Sequence, residues 1–196
     1  AANNGINILL KEKFEATDTD MTAQLTKVKA SKAKATVVWA IPPAASIVTK
    51  NFRALGLKMP LIHTHGIGNQ KFIDIAGDAA NGVTAPIGKL VIAEQLPDSD
   101  VQKPVLLNYI NDYQKNYQGR PSTFGGHAYD AFELVVKAIE QAGPDRAKIR
   151  DALENITGYA GISGVFNLSA EDHNGLGEDS MVLVDIKEGK WHLLSQ

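Results

Sequence analysis

Thr36-Val37-Val38-Trp39-Ala40-Ile41 is an unbroken apolar and largely β-branched run, and Pro42-Pro43 follows it at once. A strand with one wet face alternates apolar and polar residues, so this run suits a parallel strand covered on both faces. Parallel strands need long crossovers, usually helices, and the flanking sequence offers them. After the prolines, Ala44, Ile47, Val48, Phe52 and Leu55 recur at helical spacing and Gly56 ends the pattern. Upstream, Asp20 suits the N-cap of a helix over residues 21–31, with Met21, Leu25 and Val28 on one face. Ile6-Asn7-Ile8-Leu9-Leu10 reads as a strand, residues 60–63 as another, and residues 70–76 as a short helix stopped by Gly77. Strand followed by helix, three times over residues 6–76, predicts an α/β fold with a parallel, right-handed, doubly wound sheet.

The remainder has a different grammar. Residues 79–94 are rich in Gly, Val and Ile without helical periodicity, which predicts an extended crossing segment. Pro86, Pro97 and Pro104 break any continuous element there. Three helices follow: residues 101–117 with Val105, Tyr109, Ile110, Tyr113 and Tyr117 on one face, and residues 126–142 with Ala128, Phe132, Val135, Val136 and Ile139. The third spans residues 146–156, capped by Asp145, with Ile149, Leu153 and Ile156 inward. Strands are expected near residues 164–168, 181–186 and 190–194, with Glu188-Gly189 as a hairpin turn. Three successive helices need a sheet to pack on. Together with the Asn4-Gly5 helix stop at the start, this predicts that the sequence begins partway through a βα unit of a longer parent. Such a truncated chain is expected to form a homodimer through its uncovered helical surface.

Composition removes several classes of function. Of 196 residues, 44% are apolar and 21% charged, as in globular domains, and the longest apolar runs fall far short of a membrane span. The net charge of −2 gives nucleic acid no reason to bind. With no cysteine there is neither a disulfide nor thiolate chemistry. Gly161-Ile162-Ser163-Gly164 is one residue short of a nucleophile elbow, Gly66-Ile67-Gly68 lacks the rest of a dinucleotide fingerprint, and there is no phosphate-binding loop. His63-Thr64-His65 would present both imidazoles to one face if the strand continued, but no spacing rule supplies a third metal ligand, and a polar strand end is the plainer reading. Residues 169–179 look like a calcium loop, yet Asp172, Asn174 and Gly175 are out of register for one. Lys27, Lys29, Lys32 and Lys34 read as a solvated helix end. No catalytic residue, cofactor or metal is expected.

Ligands of open α/β sheets bind at the carboxyl ends of the strands. Those ends fall at residues 39–43 and 63–68, which makes Trp39, Ala40, Ile41, Pro42, His63, His65 and Gly66 the candidate ligand-binding residues. Core packing of Trp39 and Ile41 is the competing explanation.

The order of several weak motifs narrows the reading. Residues 35–41, then Ser46 and Phe52-Arg53-Ala54-Leu55-Gly56-Leu57-Lys58-Met59-Pro60-Leu61, resemble the second lobe of leucine/branched-chain amino-acid-binding proteins. So do Gly66, Asn69, Ile73, Ala76-Gly77 and Gly82-Val83 at their spacing. Tyr113, Tyr117, Pro121 and Phe124, with Ala128-Tyr129-Asp130-Ala131, are similar to the stretch where that family returns to its first lobe, and Gly161, Gly164 and Phe166 to the stretch before its final crossing.

The resemblance spans essentially the whole chain and about the second half of such a protein. It implies the C-terminal part of a type I periplasmic solute-binding protein of an ABC importer, whose two lobes close on a small solute and are recognised by a membrane permease. It also implies an organisation of residues 1–86 as second lobe, 87–180 as first-lobe helices, and 181–196 as strands returning to the second lobe. By the same resemblance, an aromatic ligand contact falls near Ile41 and the acid that meets the ligand's ammonium falls on His65; neither residue type matches. An imidazole suits an amide, a hydroxyl or a carboxylate. A small amino acid, an amide or an aromatic carboxylate is thus the expected solute, and the periplasm or another extracytoplasmic space the expected location. The alternatives are a ligand-sensing domain of a regulator on the same fold, or an α/β enzyme using His63 or His65 as a base.

Overall fold

The computed structural model describes residues 2–195. Within it the apolar run supplies β1 (Thr36–Val38), and the chain continues through α2 (Ala44–Ala54), β2 (Leu61–His63), α3 (Gln70–Ala76) and β3 (Val83–Gly88), with α1 (Thr22–Ala30) preceding β1. The three strands are parallel neighbours, Thr36 opposite Leu61 and Leu61 opposite Val83. The sheet is completed by β6 (Met181–Lys187) and β7 (Lys190–Ser195), in the order β1-β2-β3-β6-β7. Glu188 and Gly189 both have positive φ, as a two-residue hairpin turn requires.

Two compact units divide the chain. The first runs to Pro86 and takes in Val184–His192; the second holds Ile87–Leu183 and the chain from Leu193. The chain therefore passes between units three times, each time within a strand. In the first unit, Met21, Leu25, Val38, Val48, Phe52, Leu61, Phe72 and Val83 are all buried. Asn51 fastens α1 to α2 by accepting from the Met21 amide at 2.9 Å. Asp20 accepts from the Thr22 amide at 2.8 Å, and Asn69 caps α3 by accepting from the Phe72 amide.

The second unit contains α4 (Lys103–Asn116), α5 (Thr123–Ala142), α6 (Arg146–Leu153) and the small antiparallel pair β4 (Tyr159–Ala160) and β5 (Val165–Phe166). Ser122 and Asp145 accept from the Gly125 and Lys148 amides, capping α5 and α6. Leu134, Ile156 and Phe166 form its core, with Leu153, Tyr159 and Leu168 against them.

Three expectations are corrected. Ile6–Leu10 is not a strand: these residues pair with no described strand and stay exposed, Ile8 at 57%. Apolar alternation gives a segment the preference for extension, but only a neighbouring ladder makes it a strand. The third parallel strand is instead β3, inside the presumed crossing segment, with Val83, Ala85 and Ile87 buried on one face. Finally, α5 buries Gly126, Asp130, Leu134 and Ala138, whereas the stripe expected inside is outside, Phe132 being 65% exposed.

Candidate ligand-binding site

The carboxyl ends of β1 and β2 lie side by side because the strands pair in register, Val38 opposite His63. The Thr64 amide donates to the Val38 carbonyl at 3.1 Å, carrying the pairing one residue past β2. Beyond it the chain turns sharply through a 3-10 segment, His65–Ile67, with the Gly68 amide bonded to the His65 carbonyl. The loop after β1 presses against this turn. A Cβ on Gly66 would lie 2.9 Å from Ile41 Cγ2 and 3.2 Å from the Ala40 carbonyl oxygen, so only glycine permits the approach.

Six of the seven candidate residues are brought together in this way. Trp39 is 83% exposed and Ile41 55%, so core packing does not explain either. Ala40 and Pro42 are half-buried, Gly66 is buried, and His65 is exposed at the start of its turn. The peptide between Pro42 and Pro43 is cis. The result is an exposed indole and isoleucine on the loop after β1, packed through Gly66 against a turn that begins at the exposed His65.

His63 stands apart from these exposed residues. It is 1% exposed, with its Nε2 2.9 Å from Thr49 Oγ1 and its ring edge-on to Phe72 at 5.1 Å. Thr49 already donates its hydroxyl proton to the Ala45 carbonyl at 2.8 Å, so Nε2 carries the proton and donates. Nδ1 is then a buried acceptor without a protein partner. Burial, reinforced by the positive charge of Arg53, pushes the His63 pKa down to about 4. The imidazoles of His63 and His65 do not share a face, because the period-two geometry ends with β2 at His63. No cluster of three or more metal-ligating side chains occurs among the described residues.

Sequence reasoning missed an anchoring group in the second unit. Asp130 is 2% exposed, and its two oxygens accept from the Ile162 and Ser163 amides, each at 2.7 Å. Gly161 is held so close that a Cβ would meet Asp130 Oδ1 at 2.6 Å. Ser163 Oγ lies 2.7 Å from His127 Nδ1. With both oxygens of the carboxylate occupied by backbone, this grouping of Ser, His and Asp fixes a turn onto α5 instead of forming a hydrolytic relay. The signal was present in Gly161-x-x-Gly164 and Asp130, but nothing local joins positions so far apart.

The fold defines a class, the open α/β proteins, whose ligands bind at the carboxyl ends of the sheet strands, and the comparisons narrow it. The sequence profile of the periplasmic binding protein family matches residues 1–190, and this chain belongs to that family. It is 27% identical over 150 residues to the leucine-, isoleucine-, valine-, threonine- and alanine-binding protein of Pseudomonas aeruginosa, covering 76% of this chain and 38% of that one. The solved structure of Rp1789 from Rhodopseudomonas palustris superposes with a TM-score of 0.93 at 29% identity, over 99% of this chain and 57% of the other. The fold is shared also with the branched-chain amino acid transporter substrate-binding protein LivJ of Streptococcus pneumoniae, solved with isoleucine: TM-score 0.73, 24% identity, 93% of this chain and 51% of that one. The chain thus spans about half the length of these relatives or less. Those with functional names are solute-binding proteins, not enzymes. No helix among the described residues is long and apolar enough to cross a membrane.

Proposed function

We propose that this chain is part of the extracytoplasmic receptor of an ABC importer and contributes one side of its solute site. The observation that carries the reading is the strand-end shelf of exposed Trp39 and Ile41, packed through Gly66 against the turn that begins at His65. A solvent-exposed indole in a fixed backbone setting has a large desolvation gain available only when something covers it. In this reading the first unit belongs to the second lobe of the receptor and the second unit contributes to the first lobe. In such a receptor a solute closes the two lobes, and the closed form is what the membrane permease recognises.

The solute is a small amino acid, an amide or a carboxylate, aromatic ones included. The indole favours a flat or branched apolar group, and the imidazole can donate to a carboxylate or amide oxygen. Where the branched-chain binders are expected to place an acid, His65 offers no fixed negative charge to an ammonium.

A thermal-shift screen of the full-length receptor against amino acids, amides and aromatic carboxylates tests this. A solute at 100 times its Kd stabilises by about 2.7 kcal/mol, a plain upward shift in Tm. Trp39→Ala and His65→Ala should each weaken the solute so identified by roughly tenfold, the effect of about 1.4 kcal/mol of lost contact. Unchanged affinity in both variants would remove the shelf from the site.

A further inference from the structure

The second unit holds a cavity of about 700 Å³ that the solute reading leaves unused. Its walls are the face of α4 carrying Tyr109, Asp112, Tyr113 and Tyr117, and the start of α5 with Gly125 and Tyr129. The rings form a connected series: Tyr109 to Tyr129 at 4.9 Å, Tyr109 to Tyr113 at 6.3 Å, and Tyr113 to Tyr117 at 4.9 Å, every pair tilted by 38–51°. Tilted rings on two helices present their faces and edges to the space between them instead of stacking flat on one another. Glycine keeps that space open, since a Cβ on Gly125 would stand 3.2 Å from the Tyr109 hydroxyl.

The surroundings of the cavity are negative. Asp112 lies on its wall, and Glu133 is close enough to the Tyr129 hydroxyl to raise its pKa. Asp130 sits buried nearby with only backbone N–H groups for partners among its recorded bonds. The tyrosines register this field: Tyr109 and Tyr129 are pushed above the usual phenol range, first by burial, then by neighbouring phenols and Asp130 for Tyr109 and by Glu133, Asp112 and Asp130 for Tyr129. Lys115 is the cation paired with Asp112, at 2.8 Å, and both side chains are exposed, so water screens the pair.

The geometry points to a binding site for a small organic cation, a quaternary ammonium or alkylammonium group, in the tyrosine-walled cavity between α4 and α5. Aromatic faces attract cations through the ring quadrupole, and a quaternary ammonium, which has no N–H donors to satisfy, suits a wall of rings with carboxylates at its margin. This site uses residues of the second unit, none of them in the strand-end shelf, and does not depend on the solute assigned there.

Choline chloride titrated into the full-length receptor at constant ionic strength, followed by the aromatic NMR signals, tests the proposal. The neutral isostere 3,3-dimethylbutan-1-ol serves as the control of equal shape. Choline should shift the Tyr109, Tyr113 and Tyr129 ring signals saturably, and the alcohol should bind about tenfold more weakly or not at all. Tyr109→Leu and Tyr113→Leu, each confirmed folded by circular dichroism, should weaken choline by about fivefold or more, with Tyr109→Phe retaining it. Equal binding of choline and the alcohol, shifts without saturation to roughly ten times a 1 mM Kd, or undiminished affinity in both leucine variants would overturn it. Tyr113, half-buried and not in the close approach to Gly125 that Tyr109 makes, keeps the test open should Tyr109→Leu fail to fold.

Discussion

Gly66 and His63 show how much a single position can carry when the backbone around it is fixed. Gly66 leaves no room for a methyl group between the two strand-end loops, so Gly66→Ala should destabilise the chain by about 1–3 kcal/mol, read as a lower urea midpoint at unchanged slope. His63 makes a prediction with a definite sign. Its pKa is about 4 in the folded chain against 6.5 for the ordinary imidazole, because burial penalises the charged ring. The unfolded chain therefore binds the proton first as the pH falls. Stability is fully present above about pH 6.5 and declines toward pH 4, by roughly 3 kcal/mol for this group. Urea unfolding at a series of pH values, compared between the native chain and His63→Leu, isolates that contribution: the variant should lose the decline between pH 6.5 and 4 attributable to this ring. An identical pH dependence in the two would show that His63 titrates normally.

At the scale of elements, α5 has two apolar stripes and buries the one a hydrophobicity count would not choose. The outer stripe contains Phe124, Phe132, Val135 and Ile139; the inner one contains Asp130. Asp130 decides the orientation because its carboxylate satisfies two amides of the turn before β5, which would otherwise be buried without partners. Asp130→Ala should cost about 2–4 kcal/mol, since it strands two buried donors. Phe132→Ser on the exposed stripe should change the stability of the chain by less than about 0.5 kcal/mol. Equal losses from the two substitutions, measured by urea unfolding, would mean that the outer stripe is packed. The same comparison explains why β1, β2 and α3 were legible and the face of α5 was not. Val38, Leu61 and Phe72 are apolar at positions where every neighbour agrees, whereas α5 had two candidate faces and a non-local tie-breaker.

The whole molecule is a chain that changes unit three times, at Pro86, Val184 and His192, each time inside a strand. Its family membership and its fold extend over nearly all of the chain but only about half of the relatives' length. The sequence by itself determined the elements whose signals are local. Asn69, Ser122 and Asp145 cap α3, α5 and α6, the glycine stops after α2, α3 and α5 have positive φ, and Glu188-Gly189 makes the hairpin between β6 and β7. It also determined that the loops at residues 39–43 and 63–68 would lie side by side, because parallel strands joined by short helices place their carboxyl ends at one edge. Tertiary structure alone decided that Ile6–Leu10 pairs with nothing described, that β3 completes the parallel set, that α5 turns Asp130 inward, and that His63 is sealed in while His65 is exposed. The physical reason is common to all four. Caps, turns and periodicity depend on residues a few positions apart, whereas pairing and burial depend on which distant surface is available to cover a segment.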